Sequence, residues 1–92
     1  MPEKSANTQN PIVFVVDDEA PIRRLLTLKL KKENFSVQSF ASGEEFLKVP
    51  RPRQPCCLLL DIYLGNGMDG PELQKRLQVM GWRIPIVFFS AN

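Results

Sequence analysis

The stretch Cys56-Cys-Leu-Leu-Leu-Asp61 decides the fold of this chain, because it is a continuous apolar run that ends on an acid. Such a run is typical of a β-strand that is buried on both faces of a sheet. A second run of the same kind, Ile12 to Val16, is followed directly by Asp17 and Asp18. The sequence therefore predicts two buried strands that carry acids at their carboxyl ends.

Helices alternate with these strands, and each helix has a recognisable start. Pro21 suits the first turn of the first helix. Its apolar side chains recur at helical spacing, at Ile22, Leu25, Leu26 and Leu30. The Ser-Gly-Glu-Glu segment at 42–45 has the pattern of a capping box that opens a short helix. Asp69, followed by Glu72, begins the third helix, which Gly81 is placed to end.

Two further strands complete the pattern. Phe35–Phe40 is polar enough for the edge of a sheet, and Ile84–Phe89 is the last apolar run. The order is then βαβαβαβ, which predicts an α/β fold with a parallel sheet covered on both faces. Right-handed crossovers, with the winding reversed after the second strand, give the strand order 2-1-3-4 with three helices.

Composition bounds the class of protein. The chain has 92 residues, 43% of them hydrophobic, and a formal charge of +2, which fit one globular domain and give no reason to expect nucleic-acid binding. Residues 1–11 are expected to form a disordered tail that lacks the apolar core of a signal peptide. No apolar run approaches the length of a membrane span. Cys56 and Cys57 are expected to be strand residues rather than disulfide partners or metal ligands. These features predict a cytoplasmic protein.

Acidic residues follow two strands that are neighbours in the predicted sheet. Asp17 and Asp18 come after the first strand, and Asp61 ends the third, at the point where the winding reverses and α/β sheets place ligands. Close carboxylates repel one another unless a cation intervenes, and Mg²⁺ is a natural neutraliser. Ser90 ends the fourth strand, from which its hydroxyl could reach a group attached to Asp61. An Asp-Asp pair alone more often caps a helix or solvates a turn, and the conjunction with Asp61 and Ser90 favours a functional site.

At these residues the sequence resembles the receiver domains of two-component response regulators. The resemblance runs from about Ile12 to Asn92 and is closest to nitrogen-fixation-type regulators. It is carried by Val-Val-Asp17-Asp18-Glu, Leu-Leu-Leu-Asp61-Ile-Tyr-Leu, Gly-Met-Asp-Gly70 and Pro85-Ile-Val-Phe-Phe-Ser90-Ala. It implies a flavodoxin-like fold and a phosphoacceptor that is not an enzyme, beyond self-phosphorylation and self-dephosphorylation.

The resemblance also implies a role for each residue of the acidic cluster. Asp61 would take a phosphoryl group from the histidine of a sensor histidine kinase. Asp18 would bind Mg²⁺ directly and Asp17 chiefly through water, while Asp61 and the backbone carbonyl of Tyr63 would complete the protein ligands. Ser90 would hydrogen-bond a phosphoryl oxygen and so sense the modified state. In the family, the positions of Tyr63 and Asn92 tune dephosphorylation.

The chain departs from the family pattern in two places. Gly65 stands where receivers usually have a proline, and Gly70 comes one place late, so Gly65-Asn66-Gly67 is expected to be a one-residue insertion that loosens the loop. A full receiver also continues with a helix, a lysine-bearing fifth strand and a final helix. The sequence therefore predicts an incomplete receiver domain at 12–92, truncated after the fourth strand. The exposed fourth strand is expected to favour non-native self-association.

Two other functions remain open at the level of sequence. A phosphohydrolase with an aspartate nucleophile usually has a second catalytic aspartate two residues later, where this chain has Tyr63. Without phosphotransfer, the chain could instead bind a kinase as a decoy. The first helix would then supply basic contact residues: Arg23, Arg24, Lys29 and Lys32. Labelling by a phosphodonor separates the decoy from the phosphoacceptor.

Overall fold

The computed structural model describes residues 10–65 and 67–90, so most of the expected tail at 1–11 and the position of Asn92 lie outside the described residues. The strands are β1 (Ile12–Val16), β2 (Ser36–Phe40), β3 (Cys56–Asp61) and β4 (Ile86–Phe89). The helices are α1 (Ala20–Lys32), α2 (Gly43–Phe46) and α3 (Gly70–Val79). Among the described residues, none of these helices has the length and apolar character that a membrane crossing requires.

The four strands form one parallel sheet in the order β2-β1-β3-β4, which confirms the predicted fold class and strand order. The central strands β1 and β3 pair along β1 from Ile12 to Val16, and Val16 lies opposite Leu60. Their carboxyl ends therefore stop level with each other. This register brings the residues that follow Val16 and Leu60 to one place at the edge of the sheet.

The main core lies on the sheet face that α2 and α3 cover. Phe14 of β1 is fully buried there, and Phe46, Leu73 and Leu77 come down onto it from the two helices. The predicted start of α3 is present as a capping box: Glu72 N–H donates to Asp69 Oδ1 at 2.9 Å, and Asp69 N–H donates to Glu72 Oε1 at 3.2 Å. The capping box predicted at 42–45 is half formed, because Ser42 Oγ accepts from Glu45 N–H at 3.1 Å while Glu45 Oε1 accepts from Ala41 N–H. Hydrogen-bonded ends and a buried apolar stripe together fix α3 against the sheet.

The opposite face is covered by α1, which packs on β1 and β2. The sequence predicted an apolar stripe on this helix, yet no residue of α1 is fully buried, and Leu25 of that stripe is 50% exposed. Leu28, outside the predicted stripe, is 64% exposed. One helix is about 10–12 Å wide and strands are about 4.8 Å apart, so a single helix covers only about two strands. The side chains on its flanks therefore stay open to solvent, as does Val87 of β4.

We expect the 92-residue chain to self-associate through β4. This strand is at the end of the sheet order among the described strands, and Val87 is 53% exposed. A sheet edge that lacks charge offers unpaired backbone groups to another strand. Light scattering after size exclusion should show a mass that increases with protein concentration, and Val87→Lys should return the chain to a monomer. A monomer at every concentration would contradict the prediction.

Candidate functional site

Three carboxylates meet at the carboxyl ends of β1 and β3. Asp17 and Asp18 follow Val16, and Asp61 is the last residue of β3, so the paired strands deliver them to the same point. One carboxylate oxygen from each residue lies within 4.8 Å of those of the other two. Asp17 and Asp61 are buried, whereas Asp18 is exposed. The predicted acidic cluster is therefore assembled by the fold.

Backbone amides fix the orientation of each carboxylate. Glu19 N–H donates to Asp17 Oδ1 at 2.8 Å, and Tyr63 N–H donates to Asp61 Oδ1 at 3.1 Å. Gly65 N–H donates to Asp18 Oδ2 at 2.9 Å. Each of these bonds leaves the second oxygen of the carboxylate available. The cluster thus presents three oriented oxygen donors at the end of the sheet.

At Asp17, burial and repulsion from neighbouring carboxylates both raise the pKa of the side chain. Burial raises the pKa of Asp17 above its ordinary value of 3.8. The hydrogen bond from the Glu19 backbone opposes this shift, while the charges of Asp61, Asp18 and Glu19 add to it. Asp17 Oδ2 is buried and has no hydrogen-bond partner among the described residues. A buried, unpaired oxygen in a set of oxygen donors fits a hard divalent cation such as Mg²⁺.

The raised pKa of Asp17 leads to a prediction for the chain in EDTA. A pKa that is higher in the folded than in the unfolded chain means that ionisation of Asp17 favours unfolding. Its unfavourable contribution therefore develops as the pH rises from about 3.8 through the folded value, and it persists at neutral pH. Asp17→Asn should raise the melting temperature at pH 7, and the difference should shrink as the pH approaches about 4.

A matched control for this prediction is Asp69→Asn, which also removes one carboxylate charge but keeps a good N-cap residue on α3. It should change the melting temperature less than Asp17→Asn does. If the melting temperature of Asp17→Asn is equal to or below that of the unaltered chain, the charge of Asp17 does not destabilise the folded state. Thermal melts followed by circular dichroism at several pH values make the comparison.

The remaining predicted site residues lie beside the cluster. Tyr63 contributes its N–H to Asp61, and its side chain is 64% exposed. Ser90 comes directly after Phe89, which lies opposite Asp61 in the sheet, and it is exposed. A hydroxyl at this position is at the same edge of the sheet as the cluster. The predicted role of Asn92 falls outside the described residues.

Three contacts at the site were not predicted from the sequence. Arg23, which the sequence suggested as a contact for a kinase, donates from Nη1 to the backbone carbonyl of Asp17 at 2.7 Å. Gly65 N–H bonds Asp18, and Glu44 Oε2 accepts from Met68 N–H at 3.1 Å. The bonds of Gly65 and Met68 lie on either side of residue 66, in the loop that was expected to be loose. The only sign of these contacts in the sequence was the pair of glycines, Gly65 and Gly67. Residue type alone does not show in which direction their N–H groups point.

Comparison with known proteins agrees with this fold. The family model described as the response regulator receiver domain matches residues 13–92, and the chain belongs to this family. The transcriptional regulatory protein TdiR of Thauera aromatica is 39% identical over 79 residues, which are 86% of this chain and 34% of that protein. The chain thus spans about a third of the length of this relative.

Solved structures show the same fold. The response regulator StyR superposes with a TM-score of 0.82 at 42% identity, over 90% of this chain and 41% of StyR. The response regulator TrrA of Thermotoga maritima, in complex with Mg²⁺–BeF, gives a TM-score of 0.77 at 28% identity, over 89% of this chain and 70% of TrrA. The flavodoxin-like receiver fold inferred from the sequence is therefore confirmed.

Proposed function

We propose that Asp61 accepts a phosphoryl group from the phosphohistidine of a sensor histidine kinase, in a step that depends on Mg²⁺. In this transfer an oxygen of Asp61 forms the new P–O bond, the P–N bond to histidine breaks, and the imidazole nitrogen keeps the electron pair and takes up a proton. The observation that carries the proposal is the convergence of three carboxylates within 4.8 Å at the ends of β1 and β3. Membership of the receiver family supports it.

The protein groups around Asp61 suit this step. Tyr63 N–H occupies Asp61 Oδ1, so we assign the other oxygen, Oδ2, as the nucleophile. We propose that Ser90, at the neighbouring strand end, donates its hydroxyl to a phosphoryl oxygen and so senses the modified state. The protein then acts as an acceptor that positions the group, and not as an enzyme with a separate substrate.

The metal site of this proposal is built from residues of the cluster. Asp17, Asp18 and Asp61 would hold Mg²⁺ with the backbone carbonyl of Tyr63, and the unpaired Asp17 Oδ2 supports a cation there. Bound Mg²⁺ would neutralise the charge of the transferring phosphoryl group. TrrA, which has the same fold, was solved with Mg²⁺–BeF. Because the histidine kinase partner and the two free cysteines suit a reducing compartment, we place this function in the cytoplasm.

Removal of the metal tests the proposal. With radiolabelled acetyl phosphate, a base-labile label should appear on the chain in millimolar MgCl₂ and fall to background in EDTA. MgCl₂ should also raise the melting temperature relative to NaCl of the same ionic strength, because an ion that binds only the folded cluster stabilises it by mass action. Equal labelling in EDTA would contradict the role of the metal.

Other outcomes of the same assay identify the alternatives. A chain that binds a histidine kinase but takes no label with Mg²⁺ is a binding module or decoy. A chain that releases phosphate from an ester at a steady rate is a phosphohydrolase. Either result would replace the proposal that Asp61 is a phosphoacceptor.

A further inference from the structure

The one exposed carboxylate of the acidic cluster is held by a glycine from a distant part of the chain. Gly65 N–H donates to Asp18 Oδ2 at 2.9 Å across a separation of 47 residues. Asp17 and Asp61 are immobilised by the protein packed around them, whereas Asp18 lies in solvent. An exposed aspartate samples several rotamers unless a bond selects one. The Gly65 amide is the bond that selects one here.

The space beside Gly65 explains why this position has no side chain. A Cβ atom at residue 65 would lie 2.4 Å from Asp18 Oδ2, far closer than two such atoms can approach. The backbone of Gly65 does not have a positive φ, so its conformation alone would accept another residue. A side chain at residue 65 would therefore displace the Asp18 carboxylate from the position in which the Gly65 N–H holds it.

The loop has its own anchor on the other side. Met68 N–H donates to Glu44 Oε2 at 3.1 Å, and Gly67, with a φ of +82°, passes so close to that carboxylate that a Cβ would lie 2.9 Å from it. Glu44 belongs to α2, which packs on the core through Phe46. Leu64, the residue before Gly65, is buried in the hydrophobic core, so Gly65 has an attachment that does not depend on Asp18. Because the donor is attached to the core and the acceptor lies in solvent, the glycine orients the aspartate.

We propose that Gly65 is a positioning residue for Mg²⁺ binding, which rests on the proposed function of the acidic cluster. Its N–H engages Oδ2 of Asp18 and so leaves Oδ1 as the oxygen offered to the cation beside Asp17 and Asp61. Groups that hydrogen-bond to metal ligands reduce the freedom of those ligands before the metal arrives. Loss of such a group typically weakens metal binding by about 10–100-fold.

Two substitutions at residue 65 test this role, with the Mg²⁺ dissociation constant measured by isothermal titration calorimetry. Gly65→Ala places a methyl group where the carboxylate lies. Gly65→Pro also removes the N–H donor; receivers usually have this proline in a loop that is one residue shorter, whereas here the N–H donates to Asp18. Both should raise the dissociation constant by about 10-fold or more. Because Asp18 is exposed and can move away, the melting temperature of Gly65→Ala in EDTA should stay close to that of the unaltered chain.

Gly81→Ala is the matched control away from the cluster. It introduces strain at a positive φ of +77°, and a Cβ there meets nothing within 4 Å, so it should lower the melting temperature in EDTA while leaving the Mg²⁺ dissociation constant close to the unaltered value. Unaltered Mg²⁺ affinity in Gly65→Ala overturns the proposal. Equal weakening in Gly65→Ala and Gly81→Ala also overturns it, because general destabilisation of the fold would then be sufficient.

A further variant separates this inference from the function on which it rests. If Mg²⁺ binds the unaltered chain and Asp18→Ala weakens it, the acidic cluster is a metal site. Unaltered affinity in both variants of Gly65 would then remove only the positioning role. If the unaltered chain does not bind Mg²⁺, the proposed function fails and the role of Gly65 fails with it.

Discussion

Asp61→Asn is expected to remove all base-labile phosphoryl label from the chain. Asparagine has the shape of aspartate and keeps an oxygen that can accept the Tyr63 N–H, so the geometry of the site should be preserved. Its neutral amide is a far weaker nucleophile than a carboxylate, and it cannot form an acyl phosphate by the same transfer. The measurement is the label retained after reaction with radiolabelled acetyl phosphate and Mg²⁺, compared with the unaltered chain.

Two controls make the result specific to Asp61. Asp69→Asn changes an exposed carboxylate at the start of α3 and should keep the label. Asp61→Asn should melt no lower than the unaltered chain in EDTA, because it removes one of three mutually repelling charges. A label that survives in Asp61→Asn would assign the acceptor to another residue, and loss of the label with a collapsed melt would leave a folding defect as its cause.

The strand order could be predicted because two simple patterns determine it. Continuous apolar runs identified the buried strands, and their alternation with helices allowed few parallel arrangements. The start of the last strand was predicted less accurately. The run Ile84–Phe89 was predicted as a strand, whereas β4 begins at Ile86. Pro85 has no N–H for the ladder, and its carbonyl accepts from Leu58 N–H at 2.9 Å as the strand starts. Ile84 is buried in the core instead.

The meeting of the carboxylates was predictable for the same reason, since acids at the ends of neighbouring parallel strands share one edge. The bonds that orient them were not. Gly65 N–H contacts the Asp18 carboxylate because of the path of its loop, and the Arg23 guanidinium contacts the Asp17 backbone carbonyl because of its rotamer. Residue type specifies neither the loop path nor the rotamer. The exposure of Leu25 was missed because an apolar stripe shows which face of a helix points inward, and not how far the neighbouring elements extend over it.

The largest loss of stability is expected from Phe46→Ala. Phe46 is fully buried and belongs to α2, a helix of 4 residues that has almost no stability of its own. Its ring packs at 5.2 Å from Phe14, 5.7 Å from Phe40 and 5.4 Å from Trp82, measured between ring centroids. Truncation of a buried phenylalanine costs about 3–5 kcal/mol, a large part of the roughly 5–15 kcal/mol that stabilises a typical domain.

Trp82 is the single tryptophan of the chain and stacks on Phe46, so its fluorescence reports unfolding in urea directly. The urea midpoint should fall sharply in Phe46→Ala and change little in Leu28→Ala, whose side chain is 64% exposed and whose loss should cost less than about 0.5 kcal/mol. Dilute protein limits association through β4 in this comparison. Similar midpoints for the two variants would contradict the prediction.

Phe46→Ala should also weaken Mg²⁺ binding at the acidic cluster, although Phe46 is not part of that cluster. Glu44 lies two residues before Phe46 and accepts from Met68 N–H, in the loop whose Gly65 donates to Asp18. Phe46 is the largest buried side chain of α2, so its loss should loosen the position of Glu44. At temperatures where Phe46→Ala is still folded, its Mg²⁺ dissociation constant should therefore be higher than that of Leu28→Ala. Equal constants would show that the loop does not depend on α2 for its position.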